Sequence, residues 1–376
     1  MQFKDVIGHS SLKKQLVQSV NEGRISHAQL FLGTSGYGGL ALALAYAQYI
    51  CCRNRQEYDS CAACPSCHKF GKLIHPDLHF AFPVNTSQKV SKDPVSDSYI
   101  AQWREQLTES AYFLEQDWYQ TIGIENKQGN ISKSEAEQIL QKLSFKPYES
   151  DYKIMLIWLP ERMNTTAANK LLKLIEEPPP NTIFLMVSNN ADLIIKTILS
   201  RTQLIKIPPI EEDVLAERLA GEFNLSENES RVLARLSAGN YIEACRIVQQ
   251  QDEENDYLEG FTTLMRRAFA GDILGLFSWV DDMARLGREQ QKSFLAYCQK
   301  MVRENFMLNL KVDAVYITGA EREFSEKFAQ FVTKSNIFDI YKELNLAIAH
   351  IGQNGNAKII FTDLALKISR LLKATE

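Results

Sequence analysis

Five short apolar runs recur between residues 28 and 207: AQLFL (28–32), LHFAFPV (78–84), KIMLIWL (153–159), TIFLMVS (182–188) and QLIKI (203–207). Several are near-continuous in apolar residues rather than alternating. That is the pattern of strands covered on both faces, as in a parallel sheet. Helical patterns lie between them. In NTTAANKLLKLIEEPP, Asn164 is placed to cap a helix. Ala168, Leu171, Leu172 and Ile175 then fall on one face, and Pro178 ends the helix. These signals predict an α/β domain over residues 1–208.

Pro208-Pro209 marks a change, and no convincing strand follows. Residues 210–251 read as short helical segments with a break at Gly239-Asn240. The acidic stretch QDEEND (251–256) reads as a linker or an exposed helix start. Residues 257–376 read as all-helical, with a break at Asn354-Gly355. The expected division is α/β over 1–208, a small helical domain over 209–252 and a larger helical domain over 253–376. Segment 85–130, polar at first and then aromatic-rich, reads as an insertion. The aromatic and aliphatic residues of the last domain read as core, with a helix-on-helix oligomer interface as the other reading.

A chain of 376 residues has room for two or three domains with real cores. With 45% apolar and 23% charged residues it is ordinary for a soluble globular protein. The net charge of −4 and a pI near 6.0 supply no global positive field, so DNA contact would need a local patch or a partner. The start, MQFKDVIGHSSLKKQ, lacks the apolar core of a signal peptide, and no window approaches 18 uninterrupted apolar residues. A cytosolic protein is expected, with no membrane partner.

GTSGYGGLAL (33–42) sits between an apolar run and a helical pattern, the setting of a phosphate-binding loop. Gly33, Gly36 and Gly38 keep the frame. Gly39 and Leu40 stand where the phosphate-binding lysine and the magnesium-binding hydroxyl should be. The open readings are a glycine turn that never met nucleotide, a decayed phosphate loop and an unusual ATPase. A second nucleotide motif has gone the same way. The run KIMLIWL ends in Trp158-Leu159 rather than two acids, and Glu161 follows a proline and is displaced.

Five of seven cysteines lie between 51 and 67. Cys52, Cys61, Cys64 and Cys67 have the paired C-x-x-C spacing of a closed, structural, four-thiolate zinc site. Free thiols, a redox pair or an iron–sulfur cluster are the competing readings. Cys51 could replace Cys52, whereas His68 follows Cys67 too closely for both to ligate easily. Ser200-Arg201, in LSRT, is weak evidence alone.

The glycine loop, then C-x8-C-x2-C-x2-C, HPDLHF, AANKLLKLIEEPPPNTIFLMVSNN and ILSRT together closely resemble the clamp-loader subunits of bacterial DNA polymerase III, of the AAA+ class. The opening DVIGHSSLKKQLVQSVNEGRISHAQLFLG and the tail GQNGNAKIIFTDLALKI fit as well, so the resemblance omits only about 85–130. It implies an AAA+ sheet domain with a zinc module near 50–70, a helical lid and a helical collar. The family contains motor subunits with intact nucleotide sites and a subunit that lacks them. Gly39, Leu40, Trp158 and Leu159 point to the latter, with no ATP bound by this chain and Zn²⁺ as its structural metal. Where the family carries Ser-Arg-Cys, this chain has Ser200-Arg201-Thr202. The resemblance makes Arg201 an arginine finger, given in trans to a neighbouring motor subunit. The implied partners are the gamma/tau motor subunits and delta in a five-subunit ring, with the sliding clamp and primer-template DNA reached through that complex. Lys133 and Lys170 are candidate phosphate contacts. A motor-type ATPase with a non-standard loop would differ by binding nucleotide alone. A stand-alone zinc-bearing nucleic-acid binder is disfavoured by the acidic pI.

Overall fold

The first strand, β1 (Ala28–Leu32), lies inside a parallel sheet, next to its edge, with β4 (Thr182–Ser188) on one side and the edge strand β5 (Gln203–Lys206) on the other. With β2 (Leu78–Ala81) and β3 (Lys153–Trp158) the order is β2-β3-β4-β1-β5. In this computed structural model residues 1–310 and 319–373 are described, apart from the side chains of 251–254, 319 and 320. All five expected strands form. Every position of β3 and β4 is buried, while β5 at the edge buries only Ile205.

Successive strand residues face opposite sides of the sheet, and each side has its own apolar layer. Phe31, Ile154, Leu156 and Leu185 pack with α1 (Ser10–Asn21) and α2 (Gly39–Cys51). Leu30, Met155, Ile157 and Met186 pack on α6 (Lys133–Ser144) and α7 (Thr165–Glu176). Asn164 caps α7 as expected, its Oδ1 accepting the Ala167 N–H at 2.8 Å, and Ala168, Leu171 and Ile175 are buried.

The short helix α3 (Pro65–Gly71) follows α2. The 85–130 segment carries α4 (Ile100–Glu109) and α5 (Glu115–Thr121). Its aromatic residues enter the core on the α2 side. Trp103 stacks on Phe82 at 4.2 Å and lies 5.2 Å from Trp158. Phe113 lies 5.1 Å from Trp158.

The chain forms two compact units, 1–248 and 249–376. In the first, α8 (Lys196–Leu199) precedes β5. Beyond β5, α9 (Glu212–Phe223), α10 (Glu227–Leu236) and the start of α11 (Tyr241–Ala270) share a small core of Leu215, Leu219, Leu233, Tyr241 and Val248 with Ile7 and Ile210. The second unit continues with α12 (Ile273–Arg285), α13 (Arg288–Asn309), α14 (Gly319–Phe328), α15 (Ile337–Gly352) and α16 (Ala357–Lys373) around Phe261, Trp279, Phe294 and Phe361. No strand follows β5 among the described residues. The expected linker or helix start at 251–256 is corrected: its backbone lies inside the 30-residue α11, well past its first turn. Gln and Glu are good helix formers and Asp and Asn cost at most about 0.7 kcal/mol each, so without Gly or Pro the charge alone is a poor sign of a break there. No described helix is long and apolar enough to cross a membrane.

Candidate functional site

The turn from β1 into α2 keeps its glycines because neighbouring groups crowd it. A Cβ on Gly33 would stand 2.7 Å from the Ile207 carbonyl oxygen. Gly36 has φ +94°, and a Cβ there would meet Asn240 Oδ1 at 1.9 Å. Gly38 has φ +91°, with Tyr112 Oη 2.9 Å from its would-be Cβ. L side chains rarely adopt these φ values. Gly39 is different, its nearest neighbour being Val187 at 3.5 Å. Leu40 is buried in the core. The space left in the turn is about 30 Å³, bounded by the loop, Ala111, Tyr112, Phe113, Trp158, Val187 and Asn189. Small-molecule sites begin at roughly 300 Å³.

Tyr112 is one of the side chains bounding that space. Its Oη accepts the Ile7 backbone N–H at 2.9 Å, and its ring meets Tyr241 edge-on at 5.0 Å. Burial pushes its phenol up to about 12. The α10–α11 turn adds two bonds to the loop: Asn240 Nδ2 donates to Ser35 O at 2.9 Å and Tyr241 N to Gly36 O at 3.2 Å. Trp158, where a metal-binding acid would stand, belongs to the aromatic cluster with Trp103 and Phe113. Leu159 is buried beside it. Glu161 accepts the Asn189 N–H at 3.0 Å, and burial raises its carboxyl above the usual range.

The cysteines expected to hold metal come together. Cys52 ends α2, and Cys64 caps α3, where Pro65 has no N–H that would need an acceptor. The sulfurs of Cys52, Cys61, Cys64 and Cys67 all lie within 4.8 Å of one another. Cys52–Cys61 is 3.5 Å and Cys61–Cys67 is 3.8 Å. Four thiolates about 2.3 Å from a tetrahedral zinc would stand about 3.8 Å apart, so the donor set fits that ion. Backbone N–H groups of Cys61, Cys64 and Cys67 point at the sulfurs of Cys52, Cys61 and Cys64. Burial pushes the Cys64 thiol up, but such bonds outweigh it and hold the group at about 6. Cys51 is excluded as a substitute ligand: its sulfur faces the Tyr152 carbonyl at 3.9 Å, and burial pushes its thiol to about 12. His68 is exposed and outside the cluster. The cysteine loop is tied to the start of the chain, where Asp59 accepts the N–H groups of Phe3 and Lys4, each at 3.0 Å.

Arg201 follows α8, with Ser200 as the cap residue of that helix. Its Nη1 donates to Thr197 O at 3.0 Å and Ser200 Oγ at 3.4 Å, and its Nη2 to Glu176 Oε1 at 3.0 Å. The side chain is 34% exposed and does not line this chain's own glycine-loop cavity. Lys133 and Lys170 both pair with Glu137, at 3.8 and 2.5 Å.

The loop, the cysteines and Arg201 fall inside one matched region, since residues 8–211 fit the family described as DNA polymerase III, delta subunit. The chain belongs to this family. Among curated relatives it is 27% identical over 265 residues to the DNA polymerase III subunit delta' of Haemophilus influenzae, covering 70% of this chain and 68% of that one. It is 22% identical over 365 residues to the subunit delta' of Escherichia coli, covering 96% and 94%. The match to the subunit delta' of Bacillus subtilis is 26% over 240 residues. It covers 64% of this chain and spans 59% of the relative's length.

Two features of this family member were not assigned roles from sequence. Tyr112 sits in an aromatic-rich stretch whose destination no local pattern reveals. Asp77, in the HPD of HPDLHF, accepts the N–H groups of Tyr148, Glu149 and Ser150. It thereby anchors the turn leading into β3. Burial pushes its carboxyl up, but these donors win and hold it below its ordinary 3.8. A depressed carboxyl stabilises the fold above the unfolded-state value near 3.9, and loses that contribution as pH falls through the lower folded value. Asp77→Asn is expected to cost about 2–4 kcal/mol near neutral pH. The gap between variant and native protein should close below about pH 3.9, as urea melts at several pH values would record. A gap independent of pH would count against charge as its origin.

Proposed function

We propose that this chain is a delta-prime-type clamp-loader subunit that turns over no nucleotide itself and completes a neighbouring motor subunit's ATP site with Arg201. The filled cleft carries this reading. About 30 Å³ remains beside a loop with Gly39 and Leu40 in the two chemical positions, and Trp158 occupies the acid position. The names of the relatives support the assembly. In it, residues 209–252 act as a lid and 253–376 as a collar packed with gamma/tau subunits and delta in a five-membered ring. ATP in the motors lets the ring hold the sliding clamp open on primer-template DNA, and hydrolysis releases it. DNA is held through phosphate, which positions without reading sequence. One zinc ion, held by Cys52, Cys61, Cys64 and Cys67, is structural, since four thiolates leave no open position.

At the neighbour's site Arg201 would exchange its Glu176 bond for a γ-phosphate oxygen. Its two terminal N–H groups would neutralise charge that grows as the bond to the β-phosphate oxygen breaks and water attacks. Calorimetry of the chain alone with magnesium and ATP is expected to give no binding. Mixing with a motor subunit should restore binding and turnover. Magnesium-dependent micromolar binding by the isolated chain would overturn the reading in favour of a motor with an unusual loop.

A further inference from the structure

The segment between β2 and β3 does more than fill space, because one of its side chains joins three distant parts of the first unit. We propose that Tyr112 is a built-in ligand, closing the α9–α11 helices onto the glycine loop in place of a nucleotide base. The proposal deepens the nucleotide-inactive reading and rests on it. A base in such a cleft offers a flat ring and an acceptor for a backbone amide. Tyr112 offers both: its oxygen takes the Ile7 N–H at 2.9 Å, and its ring packs edge-on against Tyr241 at 5.0 Å. Ile7 precedes α1, Tyr112 lies between α4 and α5, and Tyr241 opens α11.

The same ring belongs to two cores. It packs against the main α2-side layer and against the small core of α9–α11. The next residue holds it in position, since Phe113 is wedged against Trp103 and Trp158 at 5.8 and 5.1 Å. The bonds of Asn240 to Ser35 and of Tyr241 to Gly36 complete the closure. A junction held by a diffusible ligand loses that stabilisation when the ligand leaves. Here the ligand is covalently part of the chain, so its local concentration does not fall and the junction stays shut.

Hydrogen exchange on the full chain tests this with two variants. Tyr112→Phe keeps the ring and removes the acceptor, so the Ile7 amide should exchange at least tenfold faster while α11 changes little. Tyr112→Ala should speed exchange tenfold or more at Gly36–Gly39 and Tyr241–Val248 and leave β3 and β4 unchanged. Added p-cresol, the missing side chain as a free molecule, should restore protection, as small aromatics occupy engineered cavities. Unchanged exchange at both segments in the alanine variant, or failure of p-cresol to restore it, overturns the proposal. If that variant does not fold, an unchanged Ile7 amide in the phenylalanine variant does so. Binding of magnesium-ATP by the native chain would instead sink the nucleotide-inactive reading. No binding combined with unaltered exchange would sink the Tyr112 role alone.

Discussion

Replacing Arg201 by alanine is expected to slow ATP hydrolysis at the adjacent motor subunit by about 10³- to 10⁵-fold, the range for an arginine supplied in trans. That corresponds to about 4–7 kcal/mol of transition-state stabilisation. The cost of releasing the residue is much smaller. Its present partner Glu176 is half-exposed, and such surface pairs contribute about 0–1 kcal/mol. The bonds to Thr197 O and Ser200 Oγ hold the guanidinium from behind and need not break. Arg201→Lys should recover little, because an ammonium lacks the planar fork. Single-turnover hydrolysis by the assembled loader is the measurement, with assembly checked separately by gel filtration. An assembled loader hydrolysing at the native rate would remove Arg201 from the site. Glu176→Gln should leave the rate intact, since it takes away only a competitor for the same guanidinium.

The second large effect concerns the cysteines. The native chain is expected to carry one zinc ion, and Cys67→Ser to weaken its retention by more than about 10²-fold, the upper end for losing merely an outer-shell partner. Zinc content after dialysis measures this. Structural zinc in small modules supplies about 10–16 kcal/mol of folding free energy, but this module leans on a large independent core. Removal should therefore free residues 52–71 without melting the sheet. It should reach one place far off in sequence, because Asp59 holds the Phe3 and Lys4 amides. Those two amides should lose exchange protection along with the cysteine loop. Protection of the loop unchanged by chelation would mean the thiols pack without needing the ion.

What was legible in the sequence was what is local. AQLFL and TIFLMVS read as strands because both faces of each are covered, so nearly every residue is apolar. The four cysteines read as one cluster because they fall on one short stretch, from the end of α2 through a loop to the start of α3. Long-range pairings left no such mark. Nothing in AYFLEQDW says that its tyrosine meets an amide 105 residues earlier. Trp158 reads from sequence only as a lost acid; the structure adds that it is a packing partner for Trp103 and Phe113. The pairing of Arg201 with Glu176 was equally silent, as each is an ordinary charged residue at a helix end. The acidic 251–256 stretch misled for the opposite reason: its charge was conspicuous, yet it lies within α11.

The crowding around the glycine turn carries a consequence for how such a chain can drift. Gly33 is confined by the end of β5, Gly36 by Asn240 and Gly38 by Tyr112, three pieces of polypeptide with no sequence neighbourhood in common. No single compensating change frees all three, so packing alone keeps these glycines in place, whether or not a ligand ever enters the turn. Gly39, whose nearest neighbour stands at 3.5 Å, is under no such confinement, so that position is free to vary where the other three are not. In a turn held this way the glycines report the packing of the fold, and only positions 39 and 40 can speak for or against nucleotide chemistry.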